Sequence, residues 1–199
     1  AVNIRFTNDG TEPVASSELY QEPIQLADTS LFRAATFVGK ERASPIVSAT
    51  YLVGRRPSLP VLSISMKPDD FLYVHLQSNV TGHDSERAAF LELFTPDGDR
   101  AVATGFGLRL HGGAGRRGSM DTKKSYRAYF RKAYGDGRVD HPIIPEAEIE
   151  DFDKLVLRAN ANDRSPHGAH ICDQVIRDVH SDMGALAASG SWCVLLINS

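Results

Sequence analysis

Cysteine is scarce in this chain: Cys172 and Cys193 are the only two in 199 residues. That count excludes a disulfide framework as the basis of the fold. The pair reads either as two half-buried thiols or as one bridge. No apolar run approaches the ~20 residues that a membrane-spanning helix needs. The clean apolar stretch near the end, Val194 to Ile197, is strand-sized. Positive charge is not in excess either. A net charge of −3 argues against a general nucleic-acid binder. The first residues, Ala1-Val2-Asn3-Ile4-Arg5, carry no signal-peptide pattern. Internal repeats and low-complexity segments are missing. So are the G-x-S-x-G elbow of hydrolases, the H-E-x-x-H of zinc proteases, the kinase G-x-G-x-x-G followed by Val, and any HRD-type or DFG-type element.

What is present is an ordinary globular composition, 42% hydrophobic and 24% charged, in a chain long enough for one large domain or two small ones. The first 54 residues read as β. Val2, Ile4 and Phe6 alternate with polar residues, and Asn8-Asp9-Gly10 follows as a turn. Pro23 to Leu26, Ser30 to Val38 and Pro45 to Val53 are further strand candidates, with a turn at Gly39-Lys40. Short strands and frequent turns point to part of a β-sandwich. Such a partial sandwich has an unpaired edge, so the module is expected to pair with a neighbouring chain or to pack on the second region. Residues 55–60, with Arg55, Arg56, Pro57 and Pro60, read as a linker.

Residues 61–199 read as mixed α/β. Val61 to Met66 alternates, and Lys67-Pro68-Asp69-Asp70-Phe71 is a turn or a helix start. Glu86 to Phe94, Val102 to His111, Lys124 to Arg131, Phe152 to Arg158 and Trp192 to Ile197 read as strands. In the third of these, Tyr126, Ala128 and Phe130 share one face, and Arg127, Tyr129 and Arg131 share the other. Ile171, Val175, Ile176 and Val179 recur at helical spacing, which predicts an amphipathic helix from His170 to Met183, ended by Gly184. The expected fold class is α+β: a partial β-sandwich module, then a mostly antiparallel sheet with one main helix.

The chemistry concentrates between Arg109 and Lys132. This segment holds Arg109, Arg116, Arg117, Lys123, Lys124, Arg127, Arg131 and Lys132 against one acid, Asp121. Its charge is +7 in a chain of −3, leaving −10 for the rest. Glycines at 112, 113, 115 and 118 allow close backbone approach to an anion, and flanking Lys and Arg side chains suit phosphate oxygens. The unit reads either as a phosphate site or as a solvated basic hairpin. A second polar cluster, Asn160, Asn162, Asp163, His167 and His170, precedes the expected helix. Those residues read as helix caps or as a polar site, with His167 and His170 as weak zinc candidates. Arg177-Asp178 is a surface pair or an anchor.

Two resemblances follow from these residues. Arg5-Phe6-Thr7-Asn8-Asp9-Gly10-Thr11-Glu12-Pro13, Leu19-Tyr20, Pro23-Ile24, Leu31-Phe32-Arg33-Ala34 and Ala49-Thr50-Tyr51-Leu52 resemble the chitobiase/hexosaminidase C-terminal-type β-sandwich module, over about residues 1–54, without its first strand. Such modules accompany secreted bacterial proteins, which implies an extracellular or cell-envelope location. Leu108-Arg109-Leu110-His111-Gly112-Gly113, Lys123-Lys124-Ser125-Tyr126-Arg127, Tyr129-Phe130-Arg131, Leu155-Val156-Leu157-Arg158, Asn162-Asp163, Ile176-Arg177-Asp178 and Leu195-Leu196-Ile197-Asn198-Ser199 resemble the CotH-type atypical kinases, over about residues 59–199. The resemblance implies ATP and Mg as ligands. It implies that Arg109, Gly112, Gly113, Lys123 and Lys124 face nucleotide phosphates, and that Asn162, Asp163, Arg177 and Asp178 support the cleft. The family's metal-binding and catalytic aspartates lie beyond an aromatic segment that this sequence does not reach, so the expected function is nucleotide binding with doubtful phosphotransfer. Two alternatives stand beside it: a secreted protein that binds polysaccharide or a cell surface, and a metal-dependent hydrolase built on Asp163, His167 and His170.

Overall fold

The computed structural model describes residues 1–54, 57–77, 79–113, 116–117, 123–145, 147–159 and 171–199. The chain divides into two compact units. One comprises Ala1–Phe71, Ala89–Thr104 and Cys193–Ser199; the other comprises Leu72–Ala88 and Gly105–Trp192. Among the described residues strands dominate, with two α-helices, so the fold is α+β.

The first unit begins with β1 (Val2–Thr7), β2 (Glu18–Leu19), β3 (Ser30–Val38), β4 (Glu41–Arg42) and β5 (Val47–Tyr51). β1 lies between β2 and β3, and β3 pairs on its other side with β4 and β5, all antiparallel. Register assigns the faces, because side chains alternate along each strand. Leu31, Ala35 and Phe37 lie on one face of β3 with Ser48 and Thr50 opposite on β5, and all five are buried. Val2, Ile4, Val38, Val47 and Tyr51 lie on the other face and are exposed. The turn at Gly10 takes φ +81°, and a Cβ there would stand 2.8 Å from the Asn198 side chain, so glycine is required twice over. Pro23 to Leu26 forms no strand. Proline lacks the N–H a ladder needs, and the run is too short to compensate.

The same unit holds β6 (Val61–Ser65), most of β7 (Arg87–Phe94), the start of β8 (Arg100–Leu110) and β13 (Val194–Ile197). β6 pairs antiparallel with β7 and parallel with β13, and all five of its residues are buried. Burial on both faces needs partners for polar side chains. Ser63 meets the Thr50 hydroxyl at 2.8 Å, and the Glu92 carboxylate, 1% exposed, accepts from the Thr50 N–H at 2.7 Å and from Arg100 at 3.0 Å. Those bonds tie β5 to β6 and β7.

Helix α1 (Pro68–Leu76) starts where the sequence shows a turn or helix start. Proline at its first position and Asp69 and Asp70 in its first turn favour that start. The second unit contains the rest of α1, a 3-10 turn at His83–Ser85, the end of β8, β9 (Tyr126–Tyr129), β10 (Val139–Asp140), β11 (Asp151–Phe152), β12 (Lys154–Leu157) and α2 (Cys172–Asp182). β9 lies antiparallel between β8 and β12. Phe106, Leu108, Leu110, Tyr126, Ala128 and Phe130 are buried, with the Phe106 and Phe130 rings 6.0 Å apart. The expected amphipathic helix is present as α2, but none of its residues is buried, and its apolar stripe of Val175, Ile176, Val179 and Met183 is exposed. No helix among the described residues is long and apolar enough to cross a membrane.

Candidate functional site

β8 has a period-two consequence on its second face. Gly105, Gly107 and Arg109 alternate with the buried Phe106, Leu108 and Leu110. Two successive positions without side chains leave a trough, and other parts of the second unit fill it. The Tyr134 carbonyl occupies the space beside Gly105, where a Cβ would stand 1.8 Å away. The Glu86 side chain occupies the space beside Gly107.

Glu86 has no exposed side-chain surface. A carboxylate cannot be held there without partners. Arg109 donates from Nε to Oε2 at 2.6 Å and pairs with the same oxygen through its Nη2, while Arg131 Nε donates to Oε1 at 3.0 Å. Tyr134 also hydrogen-bonds Glu86, and burial followed by the carboxylate's charge pushes its phenol pKa up. Gly107→Ala would place a Cβ 2.6 Å from the Glu86 carboxyl carbon. It is expected to destabilise the protein by roughly 1–3 kcal/mol. An unchanged urea midpoint would show that the trough tolerates a side chain.

Register brings Arg109 directly opposite Arg127, and Gly107 opposite Tyr129. Like charges opposite one another destabilise a ladder. The Tyr129 ring eases this by lying under three guanidiniums, Arg109 at 4.3 Å, Arg131 at 5.0 Å and Arg127 at 6.0 Å from its centre. Arg127 also donates to the Tyr129 hydroxyl at 3.3 Å, and its Nε is buried without a hydrogen-bond partner.

Beside this row a cleft of about 320 Å³ is lined by Gly82, Ser85, Arg109, Leu110, His111, Gly112, Arg116, Arg127 and Tyr129. Arg116 fixes its rim by donating to the Leu110 carbonyl at 3.0 Å and the Val80 carbonyl at 2.6 Å. Gly112, at φ +99° with open space about its α-carbon, forms part of the mouth. His111 is held below the ordinary histidine range by burial and then by the charges of Arg127, Arg158 and Arg116. Burial alone disfavours the imidazolium, and the three guanidiniums add to it.

Of the residues that the sequence nominates, Arg109 and Gly112 line this cleft. Gly113 is exposed beside Gly112, and Lys123 is exposed. Lys124 is buried, 3% exposed, and donates to the His75 carbonyl at 2.6 Å, in the last turn of α1. Burial, reinforced by Arg116, lowers its pKa. Arg177 pairs with Asp173 one turn away at 2.9 Å, and Asp178 accepts from Gln174. Both contacts lie on the surface of α2. Asn160, Asn162, Asp163, His167 and His170 lie outside the described residues. Sequence reasoning passed over Glu86 and gave no separate role to Arg127, His111 or Arg116.

The described lining suits an anion and does not suit Mg²⁺. Hard cations need carboxylate or carbonyl oxygens, and no Asp or Glu is among the described residues that line the cleft. Nor do three or more His, Cys, Asp or Glu side chains gather as a metal site among the described residues. Comparison with known proteins adds one finding. Residues 1–51, all within the first unit, match the family model described as Fn3 associated. No curated protein and no solved structure matches the chain.

Proposed function

We propose that the second unit binds a phosphate-bearing ligand, with a nucleotide polyphosphate as the substrate class that the CotH-type resemblance implies. The observation that carries this reading is the pairing of Arg109 opposite Arg127 at the wall of the cleft. Arg109 is held by Glu86, but the guanidinium of Arg127 opposite it adds a like charge to the ladder, and an anion beside them gains charge-assisted hydrogen bonds. Gly112 keeps the mouth open to a bulky group.

The direct test is calorimetric titration of the purified chain with ATP, beside Arg127→Gln. This variant removes a cleft charge and leaves the Glu86 pairs untouched. ATP is expected to bind the parent chain, and the variant is expected to bind about tenfold more weakly, the loss of one charged hydrogen-bonding partner. Equal binding by both proteins, or no heat at millimolar ATP, would overturn the reading. A second reading rests on the exposed Arg117 and Lys123, which extend positive charge next to the cleft segment in sequence. It makes the ligand an extended acidic polysaccharide. Competition by dextran sulfate but not by ATP would favour it.

A further inference from the structure

We infer that Glu86 is a positioning residue for the phosphate ligand: it takes one edge of the Arg109 guanidinium and leaves the other as a preset fork for two oxygens of a single phosphoryl group. This deepens the phosphate-binding reading and rests on it.

A guanidinium has two edges on which neighbouring N–H bonds can meet an anion, one through Nε and Nη2 and one through Nη1 and Nη2. Both nitrogens of the first edge of Arg109 lie 2.6 Å from Oε2 of Glu86. Among the described residues Arg109 has no hydrogen-bond acceptor besides Glu86. Arg109 also lines the cleft, so the second edge is the one a ligand there can use.

Glu86 can hold Arg109 because it is itself fixed. Its side chain has no exposed surface, it fills the space beside Gly107, and Arg131 holds Oε1 at 3.0 Å. The Tyr129 ring, with its centre 4.3 Å from the Arg109 guanidinium carbon, adds a second constraint. Held at two places, the guanidinium has little freedom left to lose when a ligand arrives. Such a fork favours an anion with two free oxygens on one centre, as in a terminal phosphoryl group, over a single-atom anion such as chloride.

Charge and positioning predict opposite signs for the loss of Glu86. A carboxylate beside an anion site repels the ligand, so if charge alone mattered its removal would tighten binding. If Glu86 sets the Arg109 fork, its removal weakens binding although a negative charge has gone.

The test is calorimetric titration of the full chain with sodium pyrophosphate at constant ionic strength, beside Glu86→Met and Arg109→Lys, each with its fold checked by circular dichroism. Glu86→Met keeps the length of the side chain and offers no carboxylate, and it is expected to bind about tenfold more weakly than the parent. Arg109→Lys keeps a positive charge beside Glu86 and loses the fork, and a similar loss is expected. Should Glu86→Met not fold, Arg109→Lys decides alone. Unchanged or tighter binding by folded Glu86→Met, or binding by Arg109→Lys equal to the parent's, overturns this inference and leaves the phosphate reading standing. Absence of binding by the parent chain overturns the two together.

Discussion

Arg109→Ala is expected to lower the stability of the protein by about 3–5 kcal/mol, the loss typical of stranding one partner of a buried ion pair. The size follows from what remains. Arg109 contacts Glu86 through two nitrogens at 2.6 Å, and Glu86 has no exposed side-chain surface. Without Arg109 the carboxylate keeps Arg131, itself 39% exposed, as its remaining arginine. Urea unfolding followed by circular dichroism checks this. Adding Glu86→Gln to Arg109→Ala should recover part of the loss, because the stranded charge is then gone. A loss below about 1 kcal/mol for the single variant would place the pair with ordinary surface bridges. The prediction also bears on functional tests. Arg109→Ala confounds ligand binding with folding, which is why Arg127→Gln is the better probe of the cleft.

Glu92→Ala is expected to cost about 2–4 kcal/mol, because it leaves a buried N–H unsatisfied and removes a packed side chain. Glu92 is 1% exposed and supplies the acceptor for the Thr50 N–H of β5. It also anchors Arg100. The effect should be felt in residues 1–51, which match the Fn3 associated model, and not only around residue 92. Hydrogen exchange at the Thr50 amide should accelerate in step with the loss of stability. Glu92→Gln keeps an acceptor for Thr50 and should cost less. Equal losses for Ala and Gln would mean that the charge pairing with Arg100, rather than the bond to β5, carries the stabilisation.

Both residues show where sequence reading reached and where it stopped. The alternation of Arg127, Tyr129 and Arg131 against Tyr126, Ala128 and Phe130 was visible, since a strand's faces follow from counting by two. The same count places Lys124 on the buried face with Tyr126, although composition alone makes it look like a phosphate ligand. Parity was the missed signal there. Glu86 could not be found in this way. Its partners lie 23 and 45 residues further along the chain, and nothing local announces them. Gly105 and Gly107 were the indirect trace, two absent side chains on one face of a strand, waiting for something bulky. The face of α2 was readable from helical spacing, but periodicity reports which side is apolar and not whether anything covers it.

The parallel pairing of β13 with β6 has a consequence in time. Val194 lies opposite Val61, and the Asn198 side chain accepts from the Met66 N–H across 132 residues while crowding Gly10. The first unit therefore cannot close its sheet during early synthesis. β6 must wait for the second unit to be made before β13 arrives. Contacts of such long sequence separation slow folding. On a ribosome β6 would lack its last neighbour until residues 194–197 emerge, which leaves one edge of that strand open to misassembly.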